Sequence, residues 1–327
     1  MPKYRNRLPQ LESGLFMTDG GLETTLIYHE AVELPLFAAF DLLKDPIGLA
    51  KLRGYFVRYI EIARVRKLGI VLESPTWRAS RDWGEKLGYS ASALADANRS
   101  AIGMMLELRA RHETPDTPMV VSGNLGPRGD GYRPAARMSA SEARDYHAAQ
   151  IETFAATDAD MVAAFTMNYV EEAIGIAAAA SAHAMPVAIS FTLETDGRLP
   201  SGDSLEQAIG CTDEATGGYP DYYMINCAHP AHFEHVLRKG GRWTRRIRGL
   251  RANASRRSHA ELDEASELDA GNPDELGVQH RQLYGLLEQL AVVGGCCGTD
   301  HRHVAAICAA LGRDGGGPGN GARAADT

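Results

Sequence analysis

Eight short runs of apolar, β-forming residues alternate with longer helix-forming stretches, and this alternation constrains the fold more than any other feature of the chain. The runs are Leu15–Thr18, Ile70–Glu73, Met119–Gly123, Met161–Phe165, Val187–Phe191, Tyr222–Asn226, Ile247–Ala252 and Ala291–Gly294. Between them lie Ile47–Lys67, Ala91–His112, Ser139–Thr157, Glu171–His183, Leu205–Ala215, Ala231–Leu237 and Asp274–Gln289, and His301–Leu311 follows the last. Parallel neighbours in a sheet need a crossover, which a helix supplies, so alternating strands and helices predict a parallel sheet. Eight such units in 327 residues predict a closed (β/α)₈ TIM barrel rather than an open doubly wound sheet. No composition break divides the chain. Residues 1–312 are expected to form a single domain, with 313–327 as a disordered Gly-rich tail that lacks apolar anchors. Residues 254–273, rich in charge, are expected to form a surface loop with a short helical turn.

Composition narrows the class. The chain is 44% hydrophobic, enough for a sizeable core, and its net charge is −8. An acidic surface disfavours a nucleic-acid partner. No apolar run approaches the ~20 residues of a membrane span. The N-terminal stretch lacks a signal peptide's apolar segment, so a cytoplasmic protein without membrane association is expected. There are five cysteines, an odd number in a chain long enough to fold without staples, which argues against a disulfide framework.

In a barrel of this kind the chemistry lies at the C-terminal ends of the strands. Those ends carry Asp19-Gly20-Gly21 with Glu23, Glu73-Ser74-Pro75-Thr76, Gly123-Asn124, Asn226-Cys227, and Gly294-Gly295-Cys296-Cys297-Gly298. The adjacent Cys296 and Cys297, set between glycines, do not have zinc-finger spacing. They could pair as a vicinal disulfide in a redox switch, fill core, or bind a soft metal with a third ligand from elsewhere. Cys227, two strands away on the rim, is the candidate third ligand. Three thiolates favour tetrahedral Zn²⁺ and leave a fourth position for a small-molecule thiol. A zinc-bound thiol stays deprotonated near neutral pH, which suits attack on an activated methyl group. Cys308 reads as core filler and Cys211 as filler or a surface thiol. Asp19 and Glu23 are candidate substrate contacts, with Gly20 and Gly21 opening space beside them. Asn226 is a candidate to orient backbone or substrate beside Cys227. His229 and His232 read as helix-start residues, Asp300 as an N-cap, and Glu171 and Glu172 as complements to a helix dipole.

These residues resemble the homocysteine S-methyltransferase family over about residues 13–312. DGGLETTL, SGNLGPRGDGY, SFTLETDGRLPSG, INCAHP and VVGGCCGT occur in the family's order. The resemblance implies a (β/α)₈ barrel and zinc held by Cys227, Cys296 and Cys297. It places Asp19, Gly20, Gly21 and Thr76 near the substrate amino acid. It further implies a zinc-dependent S-methyltransferase, with homocysteine as acceptor, an onium-type methyl donor and a role in methionine biosynthesis. Homo-oligomerisation is left open. One position departs from the pattern. Where the family carries a strand-4 glutamate that receives the amino group of homocysteine, this chain has Phe165, whose ring cannot accept an ammonium hydrogen bond. A non-catalytic or altered-substrate thiol-binding barrel of the same family is the alternative.

Overall fold

The computed structural model describes residues 1–12, 14–134, 137–265 and 267–312. Eight parallel strands close into one barrel in chain order: β1 Phe16–Met17, β2 Gly69–Glu73, β3 Met119–Leu125, β4 Met161–Met167, β5 Val187–Thr192, β6 Tyr222–Asn226, β7 Ile247–Ala252 and β8 Val292–Gly295. Closure is made where Phe16 of β1 pairs with Gly69 on one side and Val292 on the other. The strands are buried on both faces, which is why they read as continuous apolar runs rather than as alternating ones. The expected (β/α)₈ barrel is therefore the observed fold.

One face of each strand fills the barrel. Phe16, Val71, Val120, Met161, Phe165, Tyr222, Met224 and Val292 form this interior cluster, and Leu8, Tyr4 and Leu11 close its lower end. The opposite faces pack under the surrounding helices in a larger shell that includes Leu72, Val121, Val162, Ile189, Tyr223 and Leu250. Burying each such Leu, Ile or Phe contributes roughly 1.5–3 kcal/mol.

The long helices start where local chemistry dictates. Pro46–Arg66 begins at Asp45, whose carboxylate accepts from the amides of Ile47 and Gly48, with Pro46 in the first turn where no amide is needed. Ala140–Ala155 and Leu205–Thr216 begin with capping boxes, Ser139 with Glu142 and Ser204 with Gln207. The remaining helices that cover the barrel are Ala91–His112, Val170–Ala182, Pro230–Leu237, Pro273–Tyr284 and His301–Leu311. The Pro273–Tyr284 helix is shorter than its sequence pattern, because Gly285 ends it. The short helix Arg81–Lys86 and the irregular turns between Thr25 and Lys44 have no periodicity to announce them. Among the described residues no helix is long and apolar enough to cross a membrane. The expected disordered tail, 313–327, lies outside the described residues.

Candidate metal centre and its cavity

The cysteines meet because the barrel places the ends of β6 and β8 at one height. Asn226 of β6 is in register with Arg251 of β7, and Arg251 with Gly294 of β8. The next residues upward are Cys227 and, one further along, Cys296 and Cys297. The three sulfurs lie within 4.8 Å of one another. Cys227 takes a left-handed backbone (φ 53°), which costs a non-glycine residue about 1 kcal/mol and aims its side chain into the mouth. His259 and Thr192 hold that turn through the Cys227 carbonyl, the imidazole Nε2 at 2.6 Å and the Thr192 hydroxyl at 3.4 Å. The Cys296 carbonyl accepts from the Thr299 hydroxyl at 2.7 Å and amide at 3.1 Å. Gly21 permits the β1 loop to approach this turn: a Cβ there would lie 2.6 Å from the Cys296 carbonyl oxygen.

The sulfurs of Cys227 and Cys296 are in disulfide contact, with Cα atoms 5.4 Å apart, and the Cys297 thiol is free. Neighbouring Cys297 turns toward Tyr132, whose hydroxyl is 3.6 Å from its sulfur. Burial pushes the Cys297 thiol up from its ordinary value, and Tyr132 pulls it back. Once reduced, the trio offers three soft donors facing one point, and that donor set fits a tetrahedral zinc with one position left for a ligand. Cys308 is buried in the shell against Met17, and Cys211 is exposed.

A cavity of about 350 Å³ opens in front of the cysteines. Of the residues singled out in the sequence, Asp19, Gly20, Gly21, Glu23, Phe165 and Asn226 line it. Thr76 is not among the lining residues. It is fully buried, and its hydroxyl is held by the Asn124 carbonyl and the Ser74 hydroxyl, both at 2.7 Å. Asp19 is already engaged: it accepts from Arg251 at 2.8 Å, Thr18 at 2.9 Å and the Tyr55 hydroxyl at 3.0 Å. Asn226 braces the site. Its Oδ1 accepts from the Ser190 hydroxyl at 2.7 Å and the Thr166 amide at 2.9 Å, and its Nδ2 donates to the Thr166 hydroxyl at 2.9 Å and lies 3.9 Å from the Cys296 sulfur. Thr166 is itself left-handed (φ 65°), on the register shift between β4 and β5.

Other side chains in the wall carry no local sequence signal. Arg251 ends an apolar strand. Its guanidinium donates to the Gly295 and Gly20 carbonyls, both at 3.0 Å, and lies 4.8 Å over the Phe165 ring. Burial disfavours its charge, but Asp19 and Glu73 outweigh burial and hold it protonated. Arg78 stacks between Trp77 and Trp83 at 4.3 and 3.7 Å. Burial pulls it down to about 10. Burial likewise pushes the carboxyls of Glu23 and Glu73 up to about 7.

The charged segment 254–273 is not simply a solvated excursion. Its helix His259–Asp263 is capped by Ser258, and His259 stacks on Tyr132 at 3.9 Å. Ser255, Leu262, Ala265, Leu268 and Asp269 turn inward to line the cavity. Glu171 and Glu172 do lie in the first turn of the Val170–Ala182 helix, and Glu172 is in addition buried and bonded to His147 at 2.9 Å and to the Arg128 amide at 2.8 Å. His229 and Asp300 do cap helices, accepting from the Ala231 and Arg302 amides, while His232 contacts the Arg256 carbonyl at 2.9 Å.

A closed parallel barrel with three convergent cysteines at its C-terminal mouth defines a class of metal-ready barrel proteins. The profile of the family described as homocysteine S-methyltransferase matches residues 16–311, so the chain belongs to that family and is an S-methyltransferase enzyme. Among solved structures, the homocysteine methyltransferase MmuM from Escherichia coli in its oxidized form superposes with a TM-score of 0.73 at 18% identity, covering 94% of this chain and 99% of that one. Its metallated form gives 0.69 at 18% identity, over 91% and 96%. Its apo form gives 0.65 at 19%, over 94% and 100%. At these identities the likeness is one of fold. No curated protein matches the chain at a significant level.

Proposed function

We propose that this protein is a zinc-dependent S-methyltransferase that moves a methyl group from an onium-type donor to a thiol such as homocysteine. The observation that carries the reading is the convergence of the Cys227, Cys296 and Cys297 sulfurs within 4.8 Å of one another at the wall of the cavity. These three cysteines would hold the zinc. When bound, zinc on three thiolates keeps an incoming thiol deprotonated near neutral pH.

The chain's own groups do the rest. Gly20 and Gly21 expose backbone to the ligand, and Asp19 fixes Arg251 and so shapes the floor rather than reaching freely to substrate. Trp77, Tyr132 and Phe165 put rings in the wall, each with one face taken by Arg78, His259 or Arg251, and Asp130, Glu267 and Asp269 line it as well. Aromatic faces with carboxylates suit a sulfonium or quaternary ammonium donor, which has a positive charge and no hydrogen to donate. Leu262, Ala265 and Leu268 add apolar surface to the cavity wall, which limits water around the reacting groups. Under this reading the protein acts in the cytoplasm, where its thiols stay reduced, and supplies methionine.

Metal analysis of reduced protein, paired with methyl-transfer assays, tests the proposal. Zinc near one per chain and methylated thiol are expected, and a Cys297→Ala variant that keeps both zinc and full transfer would refute the mechanism. The second reading, an altered acceptor or a barrel that binds thiols without turnover, is favoured by Phe165 lying under Arg251. Bound zinc with no methylated product across a panel of thiols and onium donors would establish it.

A further inference from the structure

Glu73 is a buried carboxylate of the cavity wall that makes no ion pair among the described residues, and the Ser122 hydroxyl beside it favours its ionised form. It closes β2 on the same inward face as Val71 and is 4% exposed. Its Oε2 is buried with no hydrogen-bond partner among the described residues. A buried carboxylate oxygen without a donor costs on the order of 1–3 kcal/mol, so such groups in native proteins call for a specific explanation. The neighbouring cation does not supply it, because Arg251 gives its short contact to Asp19, at 2.8 Å, and makes no ion pair with Glu73. Nor does β4 offer an alternative carboxylate: it presents the Phe165 ring, itself covered by Arg251, and Thr166, whose hydroxyl already accepts from Asn226. Glu73 lines the same cavity as the three cysteines.

We propose that Glu73 anchors the primary ammonium group of an amino-thiol acceptor, and so decides which thiols this enzyme methylates. This rests on the thiol-methylating reading above. An ammonium has N–H donors to give, which is what Glu73 lacks; a fully alkylated onium donor has none and is held by the aromatic faces instead. The two cations are thereby sorted, the acceptor's to the buried acid of β2 and the donor's toward Trp77 and Tyr132. Burial holds the Glu73 carboxyl near 7 in the free protein, and an arriving ammonium favours its ionised form.

The experiment is calorimetric titration of reduced, zinc-loaded protein with homocysteine and with its des-amino analogue γ-mercaptobutanoate, followed by kcat/KM for both. Wild type should prefer homocysteine by about tenfold or more, the scale of a charge-assisted hydrogen bond. Glu73→Gln should lose most of that preference, by weakening homocysteine while leaving the analogue's affinity in place. If Glu73→Gln does not fold, Glu73→Asp serves, its shorter reach lowering the preference. Equal binding of the two thiols by wild type, or a preference that survives both substitutions, overturns the anchor and leaves the thiol reading intact. Binding of neither thiol overturns the thiol reading, and the anchor with it.

Discussion

The two ends of this barrel treat buried charge in opposite ways. At the lower end Asp160, fully buried, accepts from Arg109 at 2.5 Å, from the Val121 amide at 2.9 Å and from the Tyr4 amide at 2.7 Å. Glu113 is shared by Lys3 at 2.6 Å, the Tyr4 hydroxyl at 2.7 Å and the Met119 amide at 3.0 Å. At the mouth, Glu73 is buried with no ion pair and its Oε2 unbonded, Glu23 sits near 7, and Cys227 and Thr166 hold strained left-handed backbones. The buried charges of the lower end are complete without a ligand. The mouth keeps unmet polar groups and strain, both of which oppose folding and leave work for a ligand to do.

The contrast can be broken most forcefully at the lower end. Asp160→Ala strands Arg109 and frees two amides, and should cost about 3–5 kcal/mol in denaturant unfolding, with kcat of the folded fraction unchanged. A large fall in kcat with little loss of stability would reverse the assignment of the two ends. At the mouth, Cys297→Ala should reduce methyl transfer by about a hundredfold or more, on the scale set by changes around metal sites, while the melting temperature of the metal-free protein shifts little.

Glu73→Gln tests the cost of the unpaired acid directly. In the unfolded chain Glu73 releases its proton near 4.5, whereas in the fold it holds it to about 7. Over that window the unfolded state binds fewer protons, so this group makes stability fall as pH rises from 4.5 to 7. Glu73→Gln should therefore raise stability above pH 7, by up to about 3 kcal/mol, and add nothing below pH 4.5. Unfolding curves at pH 8 and pH 4 that shift equally would contradict it.

The smallest effect separates two left-handed residues. Lys67 (φ 53°) closes the Pro46–Arg66 helix at the lower end and is exposed, so Lys67→Gly should stabilise by about 0.5–1 kcal/mol. Thr166 has the same strain, but its hydroxyl accepts from Asn226 beside the cysteines. Thr166→Gly should relieve the backbone yet lower kcat severalfold. A gain in stability at both positions with activity untouched would mean that the strain at the mouth serves nothing.

Much of this arrangement was legible in the residues. The strand bounds follow the apolar runs to within about two residues, because strands buried on both faces must be apolar throughout. The cysteine trio was legible because thiols at strand exits in glycine-rich turns have little core to fill. Thr76 is a different case: the family resemblance placed it near the substrate amino acid, and its hydroxyl is bonded to Ser74 and Asn124. The 254–273 segment was half legible. Its charges mark an exposed face, but Ala265 and Leu268 lie beyond the end of the short His259–Asp263 helix, so their spacing from Leu262 does not show that they turn inward.

The sequence alone determined the barrel, the order of its strands and which three thiols meet, since these follow from hydrophobic pattern and from where each strand ends. Only the tertiary structure decided which charges at the mouth are paired. Arg251 meets Asp19 across 232 positions of chain, and Glu73 is left without an ion pair among the described residues. Pairing and desolvation depend on distances between residues far apart in sequence, and no local pattern encodes them.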